Sequence, residues 1–346
     1  MNRKTGVLLL NLGTPDSPKT GDVRKYLREF LMDERVIDIP AIKRWMLINL
    51  IIAPLRAPKS AAEYEKLWTE EGSPLLVNGL ALKKKVQEAL GKDYVVSFGM
   101  RYQSPSIESS LEIFKNKGFS KIIVIPLYPQ YASASTGSTI QKVNEIVNTW
   151  QVIPNIEFVS SFADNKDFIH AFAELGSEHL AKEEYDHVLF SYHGLPERQI
   201  YKSSCDNYCK IQDSCCSTYH RKNEFCYRAQ CFETTRLIAD ELKLEEGNFS
   251  NCFQSRLGKT PWIPTYIDDE IDALLKAGKK RILVYSPAFV SDCLETTVEI
   301  GEAYQEIFLE KGGERWQLVE SLNARDEWVD CLVNLIERRR GSLTLD

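Results

Sequence analysis

The sequence predicts an α/β protein made of two doubly wound domains, each built on a parallel sheet. Apolar β-branched runs of about five residues alternate with helical patterns of about 10–15 residues, the signature of βαβ units. The alternation runs through twice, with a break near Pro154-Asn155. At 346 residues the chain is long for one compact core and ample for two.

In chain order, the apolar run 6–12 reads as a buried strand and 19–31 as a helix. Residues 94–99 are strand-like and 107–117 helical. The run 121–127 (Lys-Ile-Ile-Val-Ile-Pro-Leu) is a buried strand, followed by a helix over 139–150 and a strand over 156–161. A helix from 167 to 181 leads to the strand 187–192, which ends at His193. Then come a helix over 228–242, a short strand over 251–255, a helix over 268–277 and a strand over 281–285. A long helix over 294–311 and a last one over 326–340 complete the pattern. The expected division is a first domain of residues 1–155 plus 322–346 and a second of 156–321, the second carrying a cysteine-rich insert at 203–231. The two domains are expected to face each other across a cleft. Ligands of such sheets bind beyond the carboxyl ends of the strands, so chemistry is expected there.

Composition narrows the function classes. Apolar residues make up 43% and charged residues 27%, and the net charge is −6. No basic stripe with interleaved aromatics exists, which argues against nucleic acid. The run Arg338-Arg339-Arg340 reads as a solvated helix end. No stretch approaches the roughly 20 apolar residues of a membrane helix. The apolar run after Met1 is too short for a signal-peptide core. The expected location is the cytoplasm. Residues 45–55, from Trp45 to Leu55, are apolar almost all round. They read as a buried helix, an apolar lip on the cleft or a contact with the surface of a membrane such as the inner membrane.

The first strand is followed by Asn11-Leu12-Gly13-Thr14-Pro15 rather than Gly-x-Gly-x-x-Gly, and there is no Walker-type loop. A nucleotide therefore lacks its usual phosphate cradle. Residues 132–139 (Ala-Ser-Ala-Ser-Thr-Gly-Ser-Thr) form a hydroxyl-rich loop that opens a helix, either an anion cradle or an ordinary N-cap region.

His193 stands in Ser191-Tyr192-His193-Gly194-Leu195-Pro196, directly after a buried strand. An imidazole there suits proton transfer near neutral pH; the competing reading is a structural histidine. Glu295, Glu299 and Glu302 follow the strand ending at Tyr285 at spacing i, i+4, i+7, which stacks them on one α-helical face. Such a row is either a solvated face or a path for a hard divalent cation, because oxygen ligands hold such a metal loosely enough to pass it on. Arg101-Tyr102 follows the strand 94–99 and suits a carboxylate or an aromatic ring, or else a surface ion pair. Trp262 offers a flat apolar face to a large ring, or packs in the core.

Nine cysteines occur, six of them in Cys205-x3-Cys209-x5-Cys215-Cys216-x9-Cys226-x4-Cys231. In a reducing compartment such a cluster favours metal ligation over disulfides. Cys252, Cys293 and Cys331 read as small buried apolar residues.

Taken together, these motifs resemble the ferrochelatase family over nearly the whole chain. The resemblance rests on residues 191–196, the helix start at Glu295-Thr296, Tyr128-Pro129-Gln130-Tyr131 with the hydroxyl-rich loop behind it, Gln254-Ser255-Arg256-Leu257-Gly258 leading to Pro261-Trp262, and Glu320-Ser321-Leu322-Asn323. It implies two Rossmann-like domains with a porphyrin between them, and a lyase-class chelatase that inserts Fe²⁺ into protoporphyrin IX and releases two protons, the last step of haem synthesis. It implies that His193 removes pyrrole protons or receives the metal, that Glu295 is its acidic counterpart, and that Glu299 continues the carboxylate path. Leu12, Arg101, Tyr102, Ser191 and Trp262 would line the substrate site, and residues 45–55 would form the lip. The chemistry is coherent: a ring held bent exposes its nitrogen lone pairs, and a base with a near-neutral pKa takes the protons.

Leu12 stands where some relatives carry tyrosine, mainly the enzymes that use coproporphyrin, which favours protoporphyrin IX; coproporphyrin III is the alternative substrate. Cys293 stands where some relatives have histidine, which argues against metal delivery there. The insert resembles those of ferrochelatases with a [2Fe–2S] cluster, for which four thiolates suffice. Cys209, Cys216, Cys226 and Cys231 are the favoured ligands, with Cys205 and Cys215 as alternates; a Cys₄ zinc site or free or disulfide-bonded thiols compete. Because insertion transfers no electrons, a cluster would be structural or sensory. A protein that binds tetrapyrrole as a redox sensor is the rival of a different class. A monomer and a homodimer are both compatible with the sequence.

Overall fold

The computed structural model describes residues 4–256, 258 and 260–339, with the side chain of Asp213 left aside. The predicted end of the last helix at Arg340, and Leu257 and Lys259 before Trp262, lie outside the described residues. The chain divides into two compact units: one takes residues up to Tyr128, Ala132–Ser160 and those from Asn323, and the other takes Pro129–Tyr131 and Ser161–Leu322.

The first unit carries β1 (Thr5–Gly13), β2 (Tyr94–Tyr102), β3 (Lys121–Pro126) and β4 (Asn155–Phe158), all parallel, in the order β2-β1-β3-β4. Strands buried on both faces read as unbroken apolar runs, which is why Val7-Leu8-Leu9-Leu10 and Ile122-Ile123-Val124-Ile125 are wholly inaccessible. Leu8, Leu10 and Val124 pack against Leu111, Phe114 and Val143 from the crossing helices Ile107–Lys117 and Ser138–Val147. The helix Pro74–Leu90 lies so close to the sheet that a Cβ at Gly79 would stand 2.2 Å from Phe98 Cζ.

The second unit repeats the plan with β5 (His187–His193), β6 (Phe249–Gln254), β7 (Arg281–Tyr285) and β8 (Arg315–Leu318), parallel in the order β6-β5-β7-β8. Leu189, Ile282 and Val284 pack on Ile271, Phe308 and Trp316. Each sheet thus reverses its winding beside its own first strand, between β1 and β3 and between β5 and β7, where open α/β sheets form their ligand crevice.

Several expectations need correction. β2 runs three residues beyond Gly99, so Arg101 and Tyr102 belong to the strand, with Tyr102 paired to Gly13. β4 pairs with β3, so the chain passes to the second unit after Ser160 rather than at Asn155. β8 carries no long apolar run and was not foreseen, nor was the helix Pro74–Leu90. The expected single helix over 294–311 is a π-helix, Leu294–Ala303, followed by an α-helix, Tyr304–Glu310. The N–H of Tyr304 donates to the carbonyl of Glu299, five residues back. A wider turn advances less per residue, so Glu295 and Glu299 stay stacked while Glu302 rotates off the row and is exposed.

Residues 45–55 belong to three successive helical pieces, Ala41–Met46, a π-helical Leu47–Ile52 and Ala53–Leu67. Burial of this segment as a whole is overturned: Ile48 and Ala53 face inward, but Trp45 is 52%, Leu50 62% and Leu55 74% exposed. Among the described residues, no helix is long and apolar enough to cross a membrane.

Candidate active site

Two clusters of predicted site residues result, one in each unit. In the second unit, His193 closes β5 and its Nδ1 lies 2.7 Å from the Gly194 carbonyl oxygen. A carbonyl only accepts, so Nδ1 carries the proton and Nε2 presents its lone pair. The Tyr227 hydroxyl donates to the His193 carbonyl at 2.9 Å, fixing the backbone beneath the ring. Gly194 is required by space: a Cβ there would stand 3.0 Å from the Gln254 carbonyl oxygen and 3.2 Å from Trp262 Cε3. Trp262, half-buried, is bridged to Pro196 and so lies against the His193 turn.

Glu295 and Glu299 enter from the π-helix. The Ser255 hydroxyl meets both Glu299 oxygens, at 2.8 and 2.9 Å. Gln254 donates to the Glu295 carbonyl at 2.8 Å and accepts from the Ser191 hydroxyl at 2.8 Å. Burial raises the pKa of Glu299 and the charge of Glu295 adds to the rise, while His193 and Ser255 oppose it; the net direction is upward. Burial, then the charge and hydrogen bond of Glu295, push the Cys293 thiol well above its ordinary value, so it stays a neutral partner of that carboxylate. Ser191 is inaccessible. It therefore holds Gln254 and does not line a substrate surface, which corrects the sequence expectation.

In the first unit, Arg101 donates from Nη2 to Asp33 Oδ2 at 2.6 Å and from Nε to Ser138 Oγ at 2.7 Å. Its guanidinium lies 4.5 Å from the Tyr102 ring centroid, and the Tyr102 hydroxyl also donates to Asp33, at 3.0 Å. Tyr102 has no exposed surface, so it supports Arg101 from below rather than touching a ligand. Burial, then the charge of Asp33, push the Tyr102 phenol far up. Leu12, half-buried, precedes Gly13 at the end of the neighbouring strand. The hydroxyl-rich loop is a π-helical turn, Ser133–Gly137, opening the helix Ser138–Val147. Its serines serve arginines and Asp33: Ser133 accepts from Arg35 at 2.9 Å and Ser138 bridges Arg101 to Asp33.

The insert gathers four of its six thiols. Cys226 is hydrogen-bonded to Cys209 and Cys216, Cys209 also to Cys215, and the Sγ atoms of Cys215 and Cys216 are 3.9 Å apart. The Cys226 hydrogen bond and nearby Arg228 draw Cys209 and Cys216 down toward the thiolate, against burial. Cys205 is exposed. Cys231, one turn into the helix Tyr227–Glu241, is inaccessible beside Tyr227 and feels the charges of Cys216 and Arg228, while Cys215, expected as an alternate, stands beside Cys209 and Cys216. Among the described residues, no group of three or more His, Cys, Asp or Glu side chains has the arrangement of a metal site.

Gln254, Ser255 and Asp33 are the site residues that sequence reasoning missed, while Ser138 stood in the hydroxyl-rich loop without an assigned partner. The first two stood inside a recognised motif, and a polar pair at a strand end was signal enough. Asp33 gave no signal.

Comparison with known proteins shows the family of the chain. The family model described as Ferrochelatase matches residues 4–340. A Legionella pneumophila (strain Lens) protein named ferrochelatase is 44% identical over 336 residues, covering 97% of this chain and 99% of that one. A Coxiella burnetii (strain Dugway 5J108-111) protein of the same name is 43% identical, covering 97% and 94%. Among solved structures, "SirB from Bacillus subtilis with Fe3+" aligns with a TM-score of 0.53 at 12% identity, over 97% of this chain and 95% of that one, a likeness of fold. With the model spanning nearly every residue and relatives of equal length, the chain belongs to the ferrochelatase family, the chelatases that insert iron into porphyrin in haem synthesis.

Proposed function

We propose that this chain inserts Fe²⁺ into protoporphyrin IX, with His193 as the base that takes the pyrrole protons and Glu295 as its acidic counterpart. The observation that carries the reading is the fixed tautomer of His193: the Gly194 carbonyl claims Nδ1–H and leaves Nε2 as an acceptor at a strand end. Glu299 shares the electrostatic field of His193 and Glu295 and, with its raised pKa, can hold or release a proton as iron passes. Carboxylate oxygens exchange a hard dication readily, which suits delivery rather than storage. Arg101, Leu12 and Trp262 are the residues we propose for substrate binding, and Leu12 rather than a tyrosine favours protoporphyrin IX.

The insert is the second part of the reading. Cys209, Cys215, Cys216 and Cys226, two of them drawn toward the thiolate, are the thiols we propose for a [2Fe–2S] cluster, with zinc as the competing occupant. Such a group would supply rigidity or redox sensing; the insertion itself moves protons and metal only. The exposed apolar face of residues 45–55, flanked by exposed Lys43 and Arg56, supports a peripheral contact with a membrane surface.

The test is an anaerobic insertion assay with ferrous iron and, in parallel, protoporphyrin IX or coproporphyrin III. Protoporphyrin should be the faster substrate. His193→Ala and Glu295→Gln should each lower kcat by roughly 10²–10⁴-fold. Full rates in both variants would overturn the mechanism, preference for coproporphyrin would overturn the substrate, and tight ring binding without turnover would favour the sensor.

A further inference from the structure

Asp33 follows the helix Thr20–Met32 and is the meeting point of the Arg101 cluster. Its side chain is 6% exposed and that of Arg101 16%. Oδ2 accepts from Arg101, Tyr102 and Ser138, and Oδ1 accepts the backbone N–H of Arg35 at 2.8 Å. Burial opposes the charged form, but hydrogen bonds from Ser138 and the Arg35 backbone, then the charge of Arg101, hold the carboxyl below its usual range. It is therefore an anion at neutral pH. Arg101 commits Nε to Ser138 and Nη2 to Asp33, and Nη1 takes part in neither bond. The guanidinium that remains available is a flat donor whose charge is already balanced.

The two substrates respond to that balance in opposite ways. Iron arrives as a dication, which an unpaired guanidinium repels. The ring arrives with two ionised propionates, which an unpaired guanidinium attracts. A site that must admit both gains from an arginine that donates hydrogen bonds without imposing a full positive charge. We propose that Asp33 is a positioning and charge-compensating residue, which neutralises Arg101 so that the substrate site accepts ferrous iron without over-binding the anionic ring. This rests on the reading of Arg101 as a residue that contacts substrate.

Asp33→Asn keeps a similar shape and removes the compensating charge. In the full-length protein, KM for ferrous iron should rise by roughly three- to tenfold while Kd for porphyrin, followed by fluorescence quenching, falls by a similar factor. Both shifts should shrink on going from about 0.02 M to about 0.5 M salt, because charge effects are screened. A structural role predicts a different pattern, in which both constants worsen together and salt does not rescue them. That pattern, or no change in either constant, overturns the proposal. Asp33→Asn combined with Arg101→Gln leaves no unpaired buried charge and provides the measurement if the single variant fails to fold. Its iron KM should equal that of Arg101→Gln alone, and a further rise in the double variant overturns the proposal independently. Arg101→Gln separates the two ideas. If it alters neither constant, the contact reading falls and this proposal falls with it. If it alters them while Asp33→Asn is silent, only this proposal falls.

Discussion

Glu299 is held against its own preference for the ionised form. Its pKa is raised in the folded protein, so the fold favours its protonated form. The stability this group contributes is fully present below its unfolded pKa and is lost as pH rises through the folded value. At neutral pH the ionised carboxylate therefore costs stability. Glu299→Gln keeps an acceptor for the Ser255 hydroxyl and removes the titration. Its Tm should exceed that of the parent by about 2–4 °C at pH 8 and match it near pH 4, with insertion activity lost. A lower Tm at pH 8 would mean that Glu299 is stabilised as an anion after all. The place of His193 at a strand end was legible in the sequence, but the tautomer it holds depends on where the Gly194 carbonyl points.

At the scale of elements, the π-helical winding of Leu294–Ala303 changes the site more than any single side chain. It keeps Glu295 and Glu299 together and discards Glu302, which α-helical spacing had placed in the row. Periodicity in the sequence cannot separate the two windings, because both put i and i+4 on one face. The insert shows a similar gap between spacing and position. Cys226 caps the helix Tyr227–Glu241 and turns toward Cys209 and Cys216, whereas Cys231 lies a turn further along, beside Tyr227 and inaccessible. Cys215→Ser and Cys226→Ser should therefore abolish visible cluster absorbance in the purified protein, and Cys231→Ser should retain it. Loss only in Cys231→Ser would restore the ligand set that spacing suggested, and stoichiometric zinc without colour would assign the competing metal.

At the scale of the molecule, two sheets of identical strand order carry Leu12, Arg101 and His193 in the last residues of β1, β2 and β5, at the carboxyl ends where open α/β sheets bind ligands. Function here follows from that repetition more than from any motif. The other whole-molecule feature is the apolar face of Trp45, Leu50, Ile51 and Leu55, a cluster of large exposed side chains that needs something to cover it. Replacing Trp45 and Leu50 with Glu should reduce sedimentation with anionic vesicles by roughly tenfold while leaving Tm within about 1 °C, since neither residue is in the core. Unchanged sedimentation would assign the face to the ring pocket instead.

The sequence by itself determined the α/β class and the order of most strands and helices, and it singled out His193, Glu295 and Glu299 as candidates. Those features are local: apolar runs and strand-end polar residues are written in consecutive positions. Tertiary structure decided what each residue does. Asp33 meets Arg101 across 68 positions, and Ser255 meets Glu299 across 44. Tyr102 and Ser191 turned from ligand contacts into supports because neighbouring elements cover them completely. Such pairings depend on strand order and on how far each strand runs, and a hydrogen bond between distant residues leaves no trace in the periodicity of either segment.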